Sequence, residues 1–372
     1  MKNYLIILSL LLSFNCISQE RCSTDKYVKI LDKKYPQYKE NRNKVNKQTN
    51  YWIENKYNSN EKTIITIPVV VHVVWNTIQE NISNQQIFSQ IDVLNADFRR
   101  TNIDAIMTPS VWTSIAADTE IEFCLATIDP NGAFTSGITR TQTSQTSFSM
   151  QSDAVKSTST GGIDPWDQDD YLNIWVCNLS AGILGYATPP SSFNNPDDGV
   201  VIGYNYFGTL GTVQAPYHKG RTSTHEIGHW LNLDHLWGSG GNCGNDNVND
   251  TPTQEEFNLD CPAFPHNTNS CGTSNSNGDM FMNYMDYTND FCMNLFTLGQ
   301  KVRIIAAINQ YRPNLLGNNL CNNTAIEENL SQNKKLVKII DILGRDRHTF
   351  SSAIYLYIYD NNTVEKKMII KD

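Results

Sequence analysis

The sequence predicts an α+β fold: a twisted sheet backed by helices, followed by an irregular stretch that needs cross-links to hold its shape. Two observations predict it. Apolar β-branched runs and an amphipathic helical stretch share the chain ahead of His235, the texture of strands packed under helices. Beyond it the composition turns to Gly, Asn and Ser, with eight Asp and Glu and no Lys or Arg between Gly238 and Asp290. A loop region of that length inside a folded domain calls for disulfides or bound ions.

The elements follow in order. A Lys precedes an apolar run from Leu5 to Leu12, and small residues come after it. Residues 1–18 therefore read as a secretory signal peptide, too short to span a bilayer. A lipid anchor at Cys16 fits less well, because Phe14 and Asn15 stand where small residues are needed. No later run is long and apolar enough for a membrane helix, so the expected product is a secreted protein. Residues 19–62 are polar and basic, with 11 Lys and Arg against 6 Asp and Glu, and suit an extended segment or short helix resting on something larger.

At Thr63 the texture changes: "TIITIPVVVHVVW" is a buried strand by composition. In "SNQQIFSQIDVLNADFRR", Ile87, Ile91, Leu94 and Phe98 fall on one helical face. "TEIEFCLATI", "DYLNIWVCNL" and "DGVVIGYNYFG" read as further strands, and "TLGQKVRIIAAINQYRP" as a helix closed by Pro313. Within residues 319–372, "KKLVKIIDILGR", "AIYLYIYD" and "VEKKMIIKD" form a separate small β unit, which leaves 63–318 as the principal domain.

The net charge of −9 is unevenly spread, with 9 Lys and Arg against 27 Asp and Glu over residues 63–333. An acidic body argues against nucleic acid or an anionic membrane as partner and suits cationic ligands. Nine cysteines, eight once Cys16 is removed, fit an oxidising compartment. Cys243, Cys261, Cys271 and Cys292 cluster in the Gly/Asn-rich stretch; disulfides and a structural zinc site are the two readings, the second weakened by the lack of C-x2-C pairs. His72, inside an apolar strand, reads as a core histidine.

The chemistry lies in "STHEIGHWLNLDH", Ser223 to His235. His225 and His229 stand at i and i+4, so on a helix both imidazoles reach one ion, with Glu226 beside the same opening. Zinc acidifies a water there and the glutamate takes its proton. Three protein ligands leave zinc an open position, and His235 is the candidate third. A continuous helix would carry His235 away, so the chain must turn sharply near Asn232, a residue tolerant of left-handed backbone.

His225-Glu226-x-x-His229-x-x-Asn232-x-x-His235 resembles the long zinc motif of metzincin metallopeptidases, with Asn232 where Gly is usual. "NYMDY", residues 283–287, resembles the methionine turn beneath the metal of that clan. Together with "NDTPTQ" and "NYMDYTNDFCMNLFTLGQKVR", the pattern is similar to the pappalysin family in its cytophagalysin, ulilysin-like branch. The resemblance implies a sheet and helices above the cleft and a disulfide-bonded subdomain below. It implies Met285 as the hydrophobic floor and Tyr287 as a donor to the tetrahedral intermediate. "NDNVNDTP" resembles the family's calcium loop, with oxygens from Asn245, Asp246, Val248 and Thr251. The same matching pairs Cys243 with Cys271 and Cys261 with Cys292. "ERCSTD" resembles a latency segment, making 19–62 a propeptide whose Cys22 thiolate blocks zinc; a Cys22–Cys321 disulfide is the alternative. The tail resembles a short type IX sorting signal, implying that secretion machinery as a partner.

The resemblance implies a secreted zinc endopeptidase acting on proteins or peptides, with zinc and calcium as cofactors. A zinc hydrolase of non-peptide substrates and an inactive binding module are the rival classes; an intact Glu226 speaks against the second. The resemblance places Asp290, five residues past Met285, at the floor of the pocket for the side chain after the scissile bond. Its carboxylate predicts cleavage on the amino side of Arg, with Lys accepted less well. A turn or calcium role is the alternative for Asp290.

Overall fold

The apolar run after Thr63 forms the longest strand, β1 (Ile65–Trp75), of this computed structural model. The structure describes residues 21–57, 63–180, 182–191, 195–238 and 240–321, and in the tail 336–341, 344–346, 353–360 and 364–369. The expected signal peptide lies outside the described residues.

One side of β1 pairs first with β2 (Ile121–Leu125) and then with β3 (Ile138–Gln142), both parallel; the other side pairs with β4 (Leu172–Cys177). β6 (Val200–Gly203) follows β4, and the short strand β5 (Gly185–Ala187) closes that edge as its antiparallel member. Alternation sorts the side chains to two faces. Val69, Val71, Val73, Ile174, Val176 and Ile202 point into the main core, with Ile87, Leu94 and Phe98 of α3 (Asn84–Phe98) and Ile227 and Trp230 of α4 (Arg221–Trp230). Val74, Trp175, Cys177, Tyr186 and Val201 belong to a second core on the other face. Tyr27, Leu31 and Tyr38 complete that second core from the N-terminal segment.

Of the two forms expected for that segment, extended or a short helix, it takes the helical one and carries it further. It forms two helices, α1 (Thr24–Lys34) and α2 (Tyr38–Asn55). Neither has a side-chain N-cap, and the Asn-rich α2 carries a weak apolar face; tertiary contacts hold it. Arg42 donates to Pro190 O and to Asn232 Oδ1, while Tyr311 of α5 (Leu298–Tyr311) donates to Gln48 Oε1.

Three disulfides join Cys124 to Cys321, Cys243 to Cys271 and Cys261 to Cys292. The last two bonds exclude a zinc site made of those four thiols. The first excludes the Cys22–Cys321 alternative, and Cys22 and Cys177 are buried free thiols. The described residues up to Cys321 form one compact unit, and those after it another. The second unit is an antiparallel sheet of β7 (Leu336–Asp341), β8 (Ala353–Tyr359) and β9 (Val364–Ile369). Among the described residues no helix is long and apolar enough to cross a membrane.

Candidate active site

α4 carries His225, Glu226 and His229, and every one of its residues is buried. Its N-cap is Gly220, which supplies no side chain, so acceptors from elsewhere secure its start. Asp290 Oδ2 accepts from the backbone N–H of Arg221 at 3.2 Å and of Lys219 at 2.8 Å. Arg221 forks onto Asp97 and Asp104, and Asp97 also accepts from Thr224 Oγ1 and Tyr284 Oη, both within 2.9 Å. This knot ties the helix to α3 and to the segment beneath it.

At Asn232 the chain turns through a left-handed conformation, φ +73°, and returns His235 to the first two histidines. The three Nε2 atoms stand 3.0, 3.2 and 3.3 Å apart. Tetrahedral zinc with Zn–N of about 2.0–2.1 Å sets its ligand atoms about 3.3 Å apart, so the spacing fits. The tautomers fit as well. His225 Nδ1 faces Tyr284 O at 2.7 Å and His229 Nδ1 faces Leu233 O at 2.8 Å. A carbonyl only accepts, so the protons sit on Nδ1 and bare Nε2 lone pairs converge. Burial and the neighbouring imidazoles hold His225 well below its ordinary pKa and His229 at about 3, so both are neutral. Three facing lone pairs repel unless a cation lies between them. His235 Nδ1 lies 3.1 Å from Asp25 of α1, and its ring stacks on Trp237 at 4.5 Å.

Cys22 completes the cluster: its Sγ and the three imidazoles lie within 4.8 Å of one another. Glu226 Oε2 accepts from Thr24 Oγ1 at 2.8 Å and from Cys22 Sγ at 3.5 Å, while the buried Oε1 has no partner. Burial lifts this carboxyl to about 7. Tyr287 Oη donates to Cys22 O at 3.3 Å. Met285 is buried against the metal helix: a Cβ on Gly228 would meet its Sδ at 2.4 Å, so only glycine admits this approach.

Asp290 lies beside the metal site and is occupied. Arg21 reaches its Oδ1 at 3.0 Å, donates to Thr288 O at 2.7 Å, and stacks over Tyr217 at 4.9 Å. In the acidic loop, Asp246 accepts from Val248 N and Thr251 Oγ1, Thr251 Oγ1 reaches Val248 O at 3.1 Å, and Asn245 Oδ1 accepts from Asn247 N. Burial raises Asp246 to about 7, the condition of a carboxylate short of a positive partner. His72 is fully buried between Thr139 and Asn173 and takes no part.

Sequence reasoning missed Arg21, Thr24, Asp97, Arg221 and Gly228. Arg21 and Thr24 flank Cys22, which was their only local signal; the other three act through partners distant in sequence.

Comparison with known proteins decides the family. The family described as Peptidase_M43, pregnancy-associated plasma protein-A, matches residues 157–309. An extracellular metalloprotease of Arthroderma benhamiae is 31% identical over 258 residues, covering 67% of this chain and 74% of its own. The chain belongs to the M43 peptidase family. Another extracellular metalloprotease, from Sordaria macrospora, is 39% identical over 149 residues, and there the match spans only 50% of the relative's length. Mature mirolysin of Tannerella forsythia, solved with a cleaved peptide, is 51% identical with TM-score 0.68, covering 70% of this chain and 100% of that one. A promirolysin point mutant is 47% identical with TM-score 0.73 over 81% of this chain and 99% of its own. This M43 peptidase thus has the metzincin-type α+β fold.

Proposed function

We propose that this chain is a secreted zinc endopeptidase, made latent by residues 19–62, that cuts proteins on the amino side of Arg, with Lys accepted less well. The observation that carries this reading is Arg21. Its guanidinium fills a buried pocket with Asp290 at the end, a carbonyl at one edge and an aromatic wall, the partners a substrate arginine needs. Arg21 here stands in for the substrate side chain that follows the scissile bond. Relatives named extracellular metalloproteases support export and proteolysis.

Bound zinc would supply a Lewis acid that polarises the peptide carbonyl and acidifies water. His225, His229 and His235 would hold it, with their Nδ1 protons fixing the rings. Glu226 would take a proton from water and pass it to the leaving amine, a transfer for which Oε1 has no competing partner. Tyr287 donates to a carbonyl oxygen of the N-terminal segment, and the same hydroxyl would donate to the oxyanion. Latency follows from the direction of the segment. Arg21 occupies the pocket and the residue after it, Cys22, lies at the metal, whereas in a substrate the residue before the pocket supplies the scissile carbonyl. The segment therefore presents a thiol, not a scissile bond, to Glu226.

Two further assignments belong to this reading. Calcium at the Asn245–Thr251 loop is supported by the poorly compensated carboxylate of Asp246; thermal unfolding that does not respond to calcium would remove it. The tail as a type IX sorting signal rests on sequence pattern, and deletion of 322–372 should stop release into the medium.

The test of specificity is a cleavage map of a whole-proteome digest by the trimmed protein. Arg should dominate the position after the cut. Asp290 also caps α4, so Asp290→Asn, which still accepts from the backbone, is the variant that should erase the preference while keeping the metal. A map dominated by apolar residues there would overturn the assignment.

A further inference from the structure

Five residues past Cys22, Tyr27 is buried in a polar pocket of the catalytic unit. Its hydroxyl donates to Asp153 Oδ2 and accepts from Lys156 Nζ at 3.0 Å. Its ring packs on Tyr186 at 4.7 Å between centroids, and the Lys156 ammonium lies 4.7 Å from the ring centroid. The catalytic unit holds both polar groups without help from Tyr27. Asp153 also accepts from Tyr186 Oη at 2.7 Å and pairs with Lys156 at 3.3 Å. Lys156 also donates to Asp197 O at 2.7 Å and to Thr188 Oγ1 at 3.3 Å. When the N-terminal segment leaves, one acceptor and one donor remain fixed and aimed at the same point above an aromatic wall. A neutral hydroxyl matches both at once; a carboxylate would face Asp153 and an ammonium would face Lys156.

The pocket lies along the path of a bound peptide. Ser23 N donates to Gly185 O at 3.1 Å and Thr24 Oγ1 accepts from Ala187 N at 2.9 Å, so the N-terminal segment lies on the outer edge of β5. Tyr186 lies between those two residues and points to the opposite face of the sheet. A peptide added to that edge sends alternate side chains to each face. Arg21 fixes the far side of the metal as the position after the cut, so Tyr27 marks the side before it. Cys22 and Tyr27 are five residues apart, the last three steps within α1, a separation on the order of 10 Å that an extended peptide spans in about three residues.

We propose that the pocket of Asp153, Lys156 and Tyr186 becomes, after removal of the N-terminal segment, a substrate subsite that selects tyrosine two to four residues before the scissile bond. This rests on the endopeptidase reading above. The test uses trimmed protein and quenched peptides with Arg after the cut and Tyr, Phe or Ala placed singly at each of those three positions. Tyr should exceed Phe about tenfold in kcat/KM at one position, the worth of one charge-assisted hydrogen bond. Lys156→Met removes the donor and keeps the Asp153 acceptor, so it should lower the Tyr-over-Phe ratio several-fold, a ratio taken within each variant so that any general change in cleavage cancels. A peptide of residues 19–57 supplied in trans gives an independent reading, since its Tyr27→Phe form should inhibit about tenfold more weakly. Equal cleavage of Tyr and Phe at all three positions, or equal inhibition by the two peptides, would overturn the subsite. Failure to cleave any Arg peptide would instead overturn the endopeptidase reading.

Discussion

Glu226 holds Thr24 with one carboxylate oxygen and nothing with the other. Removing the carboxylate leaves all three imidazoles and their Nδ1 anchors in place. Glu226→Ala should therefore bind zinc as the parent does and lose peptide hydrolysis by roughly 10²–10⁴-fold. Metal analysis and a peptide assay on the same preparation check both halves; activity within a few-fold of the parent would remove Glu226 from the reaction. At this scale the metal site was legible because its residues are local, three histidines and a bend-tolerant Asn232 within eleven positions. Arg21 was not legible as a pocket ligand, because its partner Asp290 lies 269 residues away and no periodicity links them. Asp97 was hidden for a similar reason. It follows an apolar helical face and looks like solvent-facing charge until Arg221, Thr224 and Tyr284 are folded onto it.

Among the elements, β1 carries a titratable group in an apolar setting. Burial lowers His72 to about 4, against 6.5 for the free group. The sign follows from which state binds the proton. Below about pH 6.5 the unfolded chain takes a proton that folded His72 refuses, so stability falls with pH until about pH 4 and then levels. The loss is of order 3 kcal/mol. Denaturant unfolding of the full-length chain between pH 7 and 4 should show it, and His72→Gln should flatten that part of the curve. An unchanged slope would mean that other groups set the acid limb. Long patterned elements such as β1 and α3 could be read from composition and period. β5 could not, since three residues, Gly185 to Ala187, offer no pattern; only the sheet beside them makes them a strand. α2 was missed because its sequence is a poor autonomous helix, and the contacts of Arg42 and Tyr38 that fix it are tertiary.

Over the whole molecule, a basic N-terminal segment covers an acidic body, and the contact is both polar and apolar. Full-length protein from residue 19 should be nearly inactive, and removal of residues 19–62 should release activity; equal activity of the two forms would refute latency. Cys22→Ala separates the thiol from the rest of the cover, because Arg21, Tyr27 and α2 stay docked without it. High salt should weaken rebinding of the free segment only in part, since screening touches exposed charges and leaves buried contacts intact.

The second core has an implication for the enzyme's lifetime. Tyr27, Leu31 and Tyr38 supply three of its fully buried members, each worth about 1.5–3 kcal/mol when removed from water. Cutting the segment away uncovers Tyr186, whose ring packs on Tyr27, and removes those contributions together. The trimmed enzyme should unfold several times faster than its precursor, measured as loss of tertiary signal in denaturant with the active site inhibited to stop self-digestion. Identical unfolding rates would mean that the second core closes by itself. On the latency reading, the cut that starts activity would also set the clock on decay, giving a protease durable in transit and short-lived at work.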